Sequence, residues 1–522
     1  MRLNYYYNFK NPIRFFINIE NLNFANIDIL KHSWSSPFVF RIRKDENSFR
    51  TLSIPNIYNF YGAYTYYNSE LQKSGFDLEN LEQLDKNHNR MSISYKTGDF
   101  LEKSYDYWLQ KDYFNLIKFD VLLRYDIKSF YESIYTHYIL KGKLKAHSRT
   151  SDTPLSHLNN GRTAGILMGN YLSTYMASIL LLKISEEFSK RLRKSKLSNK
   201  CGFSYFSDDF YIFTNEEYIE QISRIFDEVL ENFQLTKNES KLKRYNYIEY
   251  NNDDLIEKYW KHITDKCQRQ QKYQMQLLEE KKIDKVDNLI FLNQLIYRSN
   301  KLKKYRDRRV FIVNFFKSDF FITTDFSSTN FHDYDVHQLL FLIKNYPEIC
   351  LYIVDLLKSE SLGNKKELIN YLFDIFMRKL DTNFQDEQLY LFYLLYLLGE
   401  RKKFKGKKCC EKILMTHNSI LIAYCLKYKY ITPAQILDDD INESRWLIYY
   451  YLILRDQDLY RNIDVSIRKY LIPQSVSKPV LEDAYLKFYR QNLEAKNDIL
   501  EDITKVKENI KEYFEQKYGK KQ

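Results

Sequence analysis

The chain has 522 residues, 44% of them hydrophobic, and a net charge of +12 from 80 basic and 68 acidic side chains, enough for two to four domains with real cores. No run of about 18 apolar residues occurs, so no transmembrane helix is expected, and the opening Met-Arg-Leu-Asn-Tyr-Tyr-Tyr lacks the apolar core of a signal peptide. The expectation is a cytoplasmic protein without a membrane partner, whose basic balance suits a phosphate-bearing ligand but does not require one.

Glycine and proline number only 12 and 8, well under the usual ~7% and ~5%, so long helices with few breaks are expected. The 47 tyrosines and 36 phenylalanines are equally explained by an AT-rich coding sequence and carry little functional weight. Six cysteines, Cys201, Cys267, Cys350, Cys409, Cys410 and Cys425, show no metal-ligand spacing with histidine and read as reduced, buried residues.

In chain order, residues 1–120 carry short aromatic segments. Within them, Phe38 to Pro55 predicts two strands joined by the polar turn Asp45-Glu46-Asn47, with Arg41, Arg43, Lys44 and Arg50 flanking the turn. Residues 121–250 open with the apolar strand Leu-Leu-Arg-Tyr ending at Asp126, followed by the aromatic pair Phe130-Tyr131. Next, Gly165 and Gly169 bracket a loop that enters an apolar helix, with Asn170 placed to cap it. Residues 203–213 then place Ser-Asp208-Asp209 between two runs of strand formers, a β-hairpin with a carboxylate pair at its tip. Residues 251–310 read as a charged helical connector ending in the basic run Lys301–Arg309. Residues 311–522 read as stacked amphipathic helices, among them Val336–Lys344, Glu348–Leu357, Leu368–Leu380, Gln388–Leu398 and Arg445–Leu454. No strict repeat period is present. The tail sets Ile499, Ile503, Val506, Ile510 and Tyr513 in alternating steps of four and three, a stripe for a docking helix or an oligomer contact.

Two adjacent carboxylates cost free energy unless a cation binds them, and hard oxygen donors suit Mg²⁺. An Asp-Asp pair alone is usually a solvated turn. Here a third acid, Asp126, precedes it in an equally specific setting. Asp126 and Asp208 are the expected ligands of Mg²⁺ or Mn²⁺, with Asp209 beside them and the Ile127 carbonyl as a further oxygen. Two such ions about 3.5–4 Å apart clamp the attacking and leaving oxygens of a phosphoryl displacement. Tyr131 is placed either to exclude a ribose 2′-hydroxyl or for core packing. Gly165 and Gly169 allow close backbone approach to a base pair, or merely a tight turn. Lys44 and Arg50 suit a nucleotide triphosphate, or a solvated hairpin. Lys241 suits a leaving pyrophosphate, or an open surface. His137 and the cluster Lys141–Lys145 suit a phosphate backbone or a helix end.

The order strand-acid, glycine loop with helix, then hairpin-acid pair resembles the palm of reverse transcriptases. Tyr135-Thr-His137-Tyr-Ile139 with Gly142-Lys143, and Ile54-Pro55-Asn56-Ile57-Tyr58 after Arg50, resemble segments of the bacterial abortive-infection and defence-associated branch of that family. The motif resemblance covers residues 35–245. It implies an α+β fold: a fingers–palm right-hand core, a thumb-like connector and an all-α, HEAT-like or α-solenoid C-terminal domain. It also implies a bacterial antiphage DNA polymerase that uses dNTPs, is primed by a protein hydroxyl, leaves DNA attached to the protein, works in some members without a template, and forms homo-oligomers. The primer tyrosine is not identified; Tyr5, Tyr6 and Tyr7 are candidates by position only. Where the family's loop usually carries proline and glutamine, this chain has Leu167 and Met168, and Phe206 replaces the tyrosine before the acid pair. The first change removes a polar residue that aligns a template strand. Two other readings stand beside this one: retron-like copying of a dedicated non-coding RNA, and a non-catalytic RNA-binding scaffold.

Overall fold

Strand β3 (Val121–Asp126), which follows β1 (Phe38–Arg43) and β2 (Phe49–Ile54) of the N-terminal hairpin, organises the acid-bearing region. With β4 (Cys201–Phe206), β5 (Asp209–Thr214) and β6 (Lys243–Tyr245) it forms a four-stranded antiparallel sheet in the order β4-β5-β3-β6. The computed structural model describes residues 12–25, 32–73, 85, 87–90, 102–140, 153–253, 291–323, 332–358, 365–437 and 441–518, with positions 3 and 7 and parts of 264–282.

Sheet register follows from the side-chain period of two. Val121 pairs with Thr214 and, five steps on, Asp126 pairs with Asp209. One face carries Leu123, Tyr125, Phe203, Phe210 and Ile212, all buried. Helices Tyr171–Lys194 and Ile219–Glu231 cover this face: Phe188 meets the Phe203 ring edge-on at 4.9 Å, and Phe226 packs on Phe210 at 4.9 Å. The other face is apolar only at one end, where Leu122 and Phe213 join Leu116, Phe119 and Tyr245 in a buried cluster. At the opposite end it presents Arg124, Asp126 and Asp209. The sheet thus has a closed face, a closed end and an open acidic end.

The long helix forms as its sequence predicts. The Asn170 side chain accepts a hydrogen bond from Ser173 N at 2.8 Å, and Arg191, Arg193 and Lys194 occupy the last turn, where positive charge complements the helix dipole.

The chain divides into two units that cut across the expected domain bounds. The first comprises 1–39, 52–252 and 441–499; the second 40–51, 253–440 and 500–522. Residues 441–499 therefore depart from the expected 311–522 grouping. Their helices pack in the first unit, where Asn56 donates to Tyr489 Oη (2.7 Å), Tyr485 Oη donates to Asn59 (2.7 Å) and Phe38 packs against Trp446. The expected bound at 310 also fails, because it falls inside helix Tyr305–Phe316. Helical periodicity reports an apolar face but not which neighbour will cover it.

In the second unit, helix Lys365–Lys379 packs on Gln385–Leu397, which in turn packs on Ser419–Lys427. Glu348–Leu357 is not one helix. It is a 3₁₀ turn, Pro347–Leu351, followed by the short helix Val354–Lys358. A short run that is apolar on every side carries no period to distinguish the two. The terminal helix Ile503–Tyr518 docks on Gln385–Leu397 and Asp319–Thr323, with Ile503, Val506, Ile510 and Phe514 buried. Phe514, not Tyr513, completes its stripe, and Ile499 precedes the helix.

All six cysteines are buried and unbridged, and burial pushes the Cys201 thiol up to about 12. Among the described residues, no helix is long and apolar enough to cross a membrane.

Candidate active site

Asp126 and Asp209 are direct cross-strand partners, so their carboxylates project from the same face at the sheet's open end. Like charges in that relation repel, and the local structure supplies a cation to each. Arg124, two residues before Asp126 and hence on the same face, reaches Asp209 at 2.9 Å. Lys241 Nζ lies 2.8 Å from both oxygens of Asp126. Asp208 sits in the turn between β4 and β5, preceded by Ser207 at φ 55°, the left-handed backbone a two-residue hairpin turn demands. Ile127 N donates to the Asp208 carbonyl at 3.1 Å, which ties the turn to the end of β3.

The loop bearing Lys241 is fixed by the same segment. Asn238 N donates to the Asp126 carbonyl (2.7 Å), its side chain donates to Asp126 Oδ1 (3.2 Å), and Lys128 N donates to Thr236 O (2.9 Å). The Arg124 guanidinium faces the Tyr211 ring (5.2 Å), which stacks in turn on Arg90 (3.7 Å). Arg90 pairs with the fully buried Asp112. Sequence reasoning misses both Arg124 and Asn238. The i, i+2 spacing of Arg124 to Asp126 on a strand is a usable signal for the first; Asn238 offers none.

Asp208 has its pKa raised. Burial is the main cause, and the neighbouring charges of Asp209 and Asp126 add to it. A carboxyl raised in the fold contributes a penalty that is absent at low pH and grows as pH rises through its unfolded value. Asp208→Asn is therefore expected to raise the melting temperature in EDTA at neutral pH, on the order of 2 °C, and added Mg²⁺ is expected to narrow the gap by stabilising only the wild type. Thermal scans with and without Mg²⁺ check this.

The donor set of three carboxylates with the Ile127 carbonyl is all hard oxygen, the chemistry of Mg²⁺ and Mn²⁺. Among the described residues, no three His, Cys, Asp or Glu side chains stand as a ready-made metal cage. Lys241 occupies Asp126, so the set can close on a metal only when that lysine withdraws. It is half exposed, and an ion pair at such a position holds weakly.

The other expected residues divide between the units. Tyr131 lies in the short helix Phe130–Ser133, 7% exposed, its hydroxyl 3.4 Å from Thr174 Oγ1. The glycine loop is bonded to this helix: Ile166 N donates to Tyr131 O (2.9 Å) and Gly165 N to Ile134 O (2.8 Å). Gly165 has φ +85°, and a Cβ there would meet the Glu132 carbonyl at 3.2 Å, while Gly169 has φ +119°; glycine is required at both. In place of the usual loop proline and glutamine, Leu167 is buried and Met168 O accepts from Ser53 N (3.0 Å). Tyr135 and His137 rings pack edge-on. Lys44 and Arg50 belong to the second unit, where they line a separate cavity. Tyr7 is no reachable primer arm: it is buried, its hydroxyl donating to Pro55 O at 2.6 Å. Tyr5, Tyr6 and Lys141–Lys145 lie outside the described residues.

No protein-family model matches the chain, and no curated protein does. Among solved structures, the chain is similar to a telomerase from Candida albicans in complex with a TWJ fragment of telomeric RNA, at 14% identity and a TM-score of 0.31 over 70% of this chain and 65% of that one. It is also similar to an apo telomerase from Candida tropicalis, at 12% identity and a TM-score of 0.29 over 87% and 69%. The chain thus spans just under two thirds of the C. albicans protein.

Proposed function

We propose that this protein is a nucleotidyltransferase of reverse-transcriptase type, a DNA polymerase that acts in antiphage defence and is primed from one of its own tyrosines. The observation that carries the chemistry is the cross-strand pairing of Asp126 with Asp209, with Asp208 in the adjoining turn. Arg124 and Lys241 offset the charge of Asp209 and Asp126, and once Lys241 withdraws a divalent cation would offset the remaining repulsion among the three carboxylates. Asp126, Asp208 and the Ile127 carbonyl would hold Mg²⁺ or Mn²⁺, with Asp209 supporting. When bound, such ions neutralise phosphate charge and lower the pKa of the attacking hydroxyl.

The chain's own residues do the rest. Arg124 fixes the orientation of Asp209. Lys241, once released from Asp126, is a cation on a loop pinned to β3 and serves the leaving pyrophosphate. Lys44 and Arg50, expected from the sequence to meet a triphosphate, belong to the second unit and are given no part in this site. Tyr131, whose hydroxyl lies 3.4 Å from Thr174 Oγ1, would exclude a ribose 2′-hydroxyl. Tyr131→Val is expected to raise ribonucleotide incorporation relative to deoxyribonucleotide by about 10²-fold, the discrimination that a few kcal/mol of steric exclusion supplies; single-nucleotide assays check this. The defence role, the homo-oligomer and the protein-linked product come from the family resemblance.

The test is purified protein incubated with single dNTPs and Mg²⁺, followed by mass spectrometry of its peptides. A nucleotide adduct on a tyrosine peptide without added template is the expected result. Strict dependence on a co-purified RNA would instead support templated copying of a non-coding RNA. No incorporation under either condition would sink the polymerase reading.

A further inference from the structure

Strand β4 is the outermost strand of the four-stranded sheet, and it runs directly into the turn that carries Asp208. An edge strand leaves one side of its backbone unpaired, so an acid pair hung from it needs further support to keep one position. Asp85 and residues 87–90 supply that support. Tyr205 N donates to His88 O (2.9 Å) and Arg90 N donates to Tyr205 O (2.8 Å), a parallel bridge shortly before the turn.

The side chains of Asp85 and Arg90 reach opposite faces of β4, since successive strand residues point to opposite sides. On the covered face, the buried Asp85 carboxylate accepts from Tyr205 Oη (3.2 Å) and from Ser185 Oγ of the long helix (2.7 Å). On the open face, Arg90 Nε donates to Ser204 Oγ (2.8 Å), and the guanidinium lies on the Tyr211 ring at 3.7 Å. Ser204, Tyr211 and Arg124 are successive cross-strand partners, one row behind Asp209 and Asp126. Tyr211 thus meets one guanidinium from Arg90 and another from Arg124 (5.2 Å), and Arg124 ends on Asp209 at 2.9 Å. Arg90 is itself fixed. Asp112, fully buried in helix Glu102–Lys118, accepts from both arms of its fork and also from Tyr250 Oη.

Backbone bonds along β4 suffice to hold an edge strand. The cation on Tyr211 does something else. Arg124 is about a third exposed, and an ion pair so placed holds a long side chain weakly. Asp126, two residues along the same face, competes for it. A ring held against the flank of the Arg124 guanidinium favours the position on Asp209.

We propose that Arg90, held by Asp112, is a positioning residue for the carboxylate site: through the Tyr211 ring it keeps Arg124 on Asp209 and so sets the direction of the acid pair. This rests on the polymerase reading of the acids, and its first readout is metal binding rather than activity. Free Mn²⁺ is counted by electron paramagnetic resonance while the full chain is titrated without nucleotide. Arg90→Ala is expected to weaken Mn²⁺ binding about tenfold, as loss of a group that orients metal ligands does, and methylguanidinium is expected to restore most of it. Because Arg90→Ala leaves Asp112 buried without its cation, the double variant Arg90→Gln/Asp112→Asn, which removes both charges, is measured beside it and is expected to show the same loss. Tyr211→Leu is expected to match these variants, and Tyr211→Phe, which keeps the ring, to recover most of the affinity. In single-nucleotide assays kcat is expected to fall with the KM for dNTP unchanged. Val229→Ala, in the core of helix Ile219–Glu231 on the covered face, lowers stability without touching the row and is expected to bind Mn²⁺ like the wild type. Equal binding by the wild type, Arg90→Ala and the double variant overturns the proposal and leaves the carboxylate site standing. The same loss in Val229→Ala also overturns it, as general loosening of the fold. A wild type that binds no Mn²⁺ ends the metal reading of the acids and this inference with it.

Discussion

Asp126→Asn and Asp208→Asn are each expected to lose nucleotide incorporation by about 10³-fold or more while the protein stays folded. That loss corresponds to roughly 4 kcal/mol of transition-state charge stabilisation, a small part of what such sites supply. The fold should survive because neither carboxylate sustains the core: Asp126 lies at the sheet's open end, and the buried face behind it is made by Leu123, Tyr125, Phe210 and Ile212. Asp126→Asn also frees Lys241, whose partner is Asp126, whereas Asp208→Asn leaves that pair in place. Measured on the same preparations, both variants are expected to be inactive, and only Asp208→Asn to be more stable in EDTA. Retained incorporation in Asp126→Asn would end the two-metal reading. Inactivity accompanied by loss of the far-ultraviolet helix signal would mean that the acids had served the fold.

Glu348→Gln is expected to destabilise the second unit by about 3 kcal/mol, because removing one partner of a buried ion network leaves the others charged and uncompensated. Burial alone would push the Glu348 carboxyl up, but Lys317 and Arg309 overcome it and hold it at about 2. A carboxyl depressed by folding contributes stability that is fully present above its unfolded value of 4.5 and is lost as pH falls toward 2. The wild type should therefore weaken across that window, while Glu348→Gln, lower from the start, should show a flatter acid limb. Urea unfolding between pH 3 and 7 checks both the size and the shape. An equal slope in the two proteins would show that the network contributes nothing to acid stability.

Much of the acid-bearing region is legible in the amino-acid order. The strand ending at Asp126, the hairpin around Asp208 and the Asn170 cap are local events, each governed by a few neighbouring residues whose turn, strand and cap preferences agree. The partners of the acids are less legible. Lys241 suits a leaving group by its charge, yet it grips Asp126 from 115 positions away, and Asn238 beside it resembles any loop residue. Tyr7 stands near a chain end, where a mobile arm is expected, but its hydroxyl meets Pro55.

Three carboxylates on hairpin and strand ends, a capped helix running behind them and a helical region to follow are all written in the order of the residues, because those features depend on periods of two and 3.6 and on cap chemistry within a few positions. Long-range packing settles the remainder: Asp126 faces Asp209 across a strand pair, Arg124 and Lys241 neutralise them, residues 441–499 join the first unit, and Arg306 meets Lys44 and Arg50 around one cavity. An apolar stripe specifies that something must cover it, and a charge that something must balance it. Neither names the partner, which is chosen by how distant segments come together.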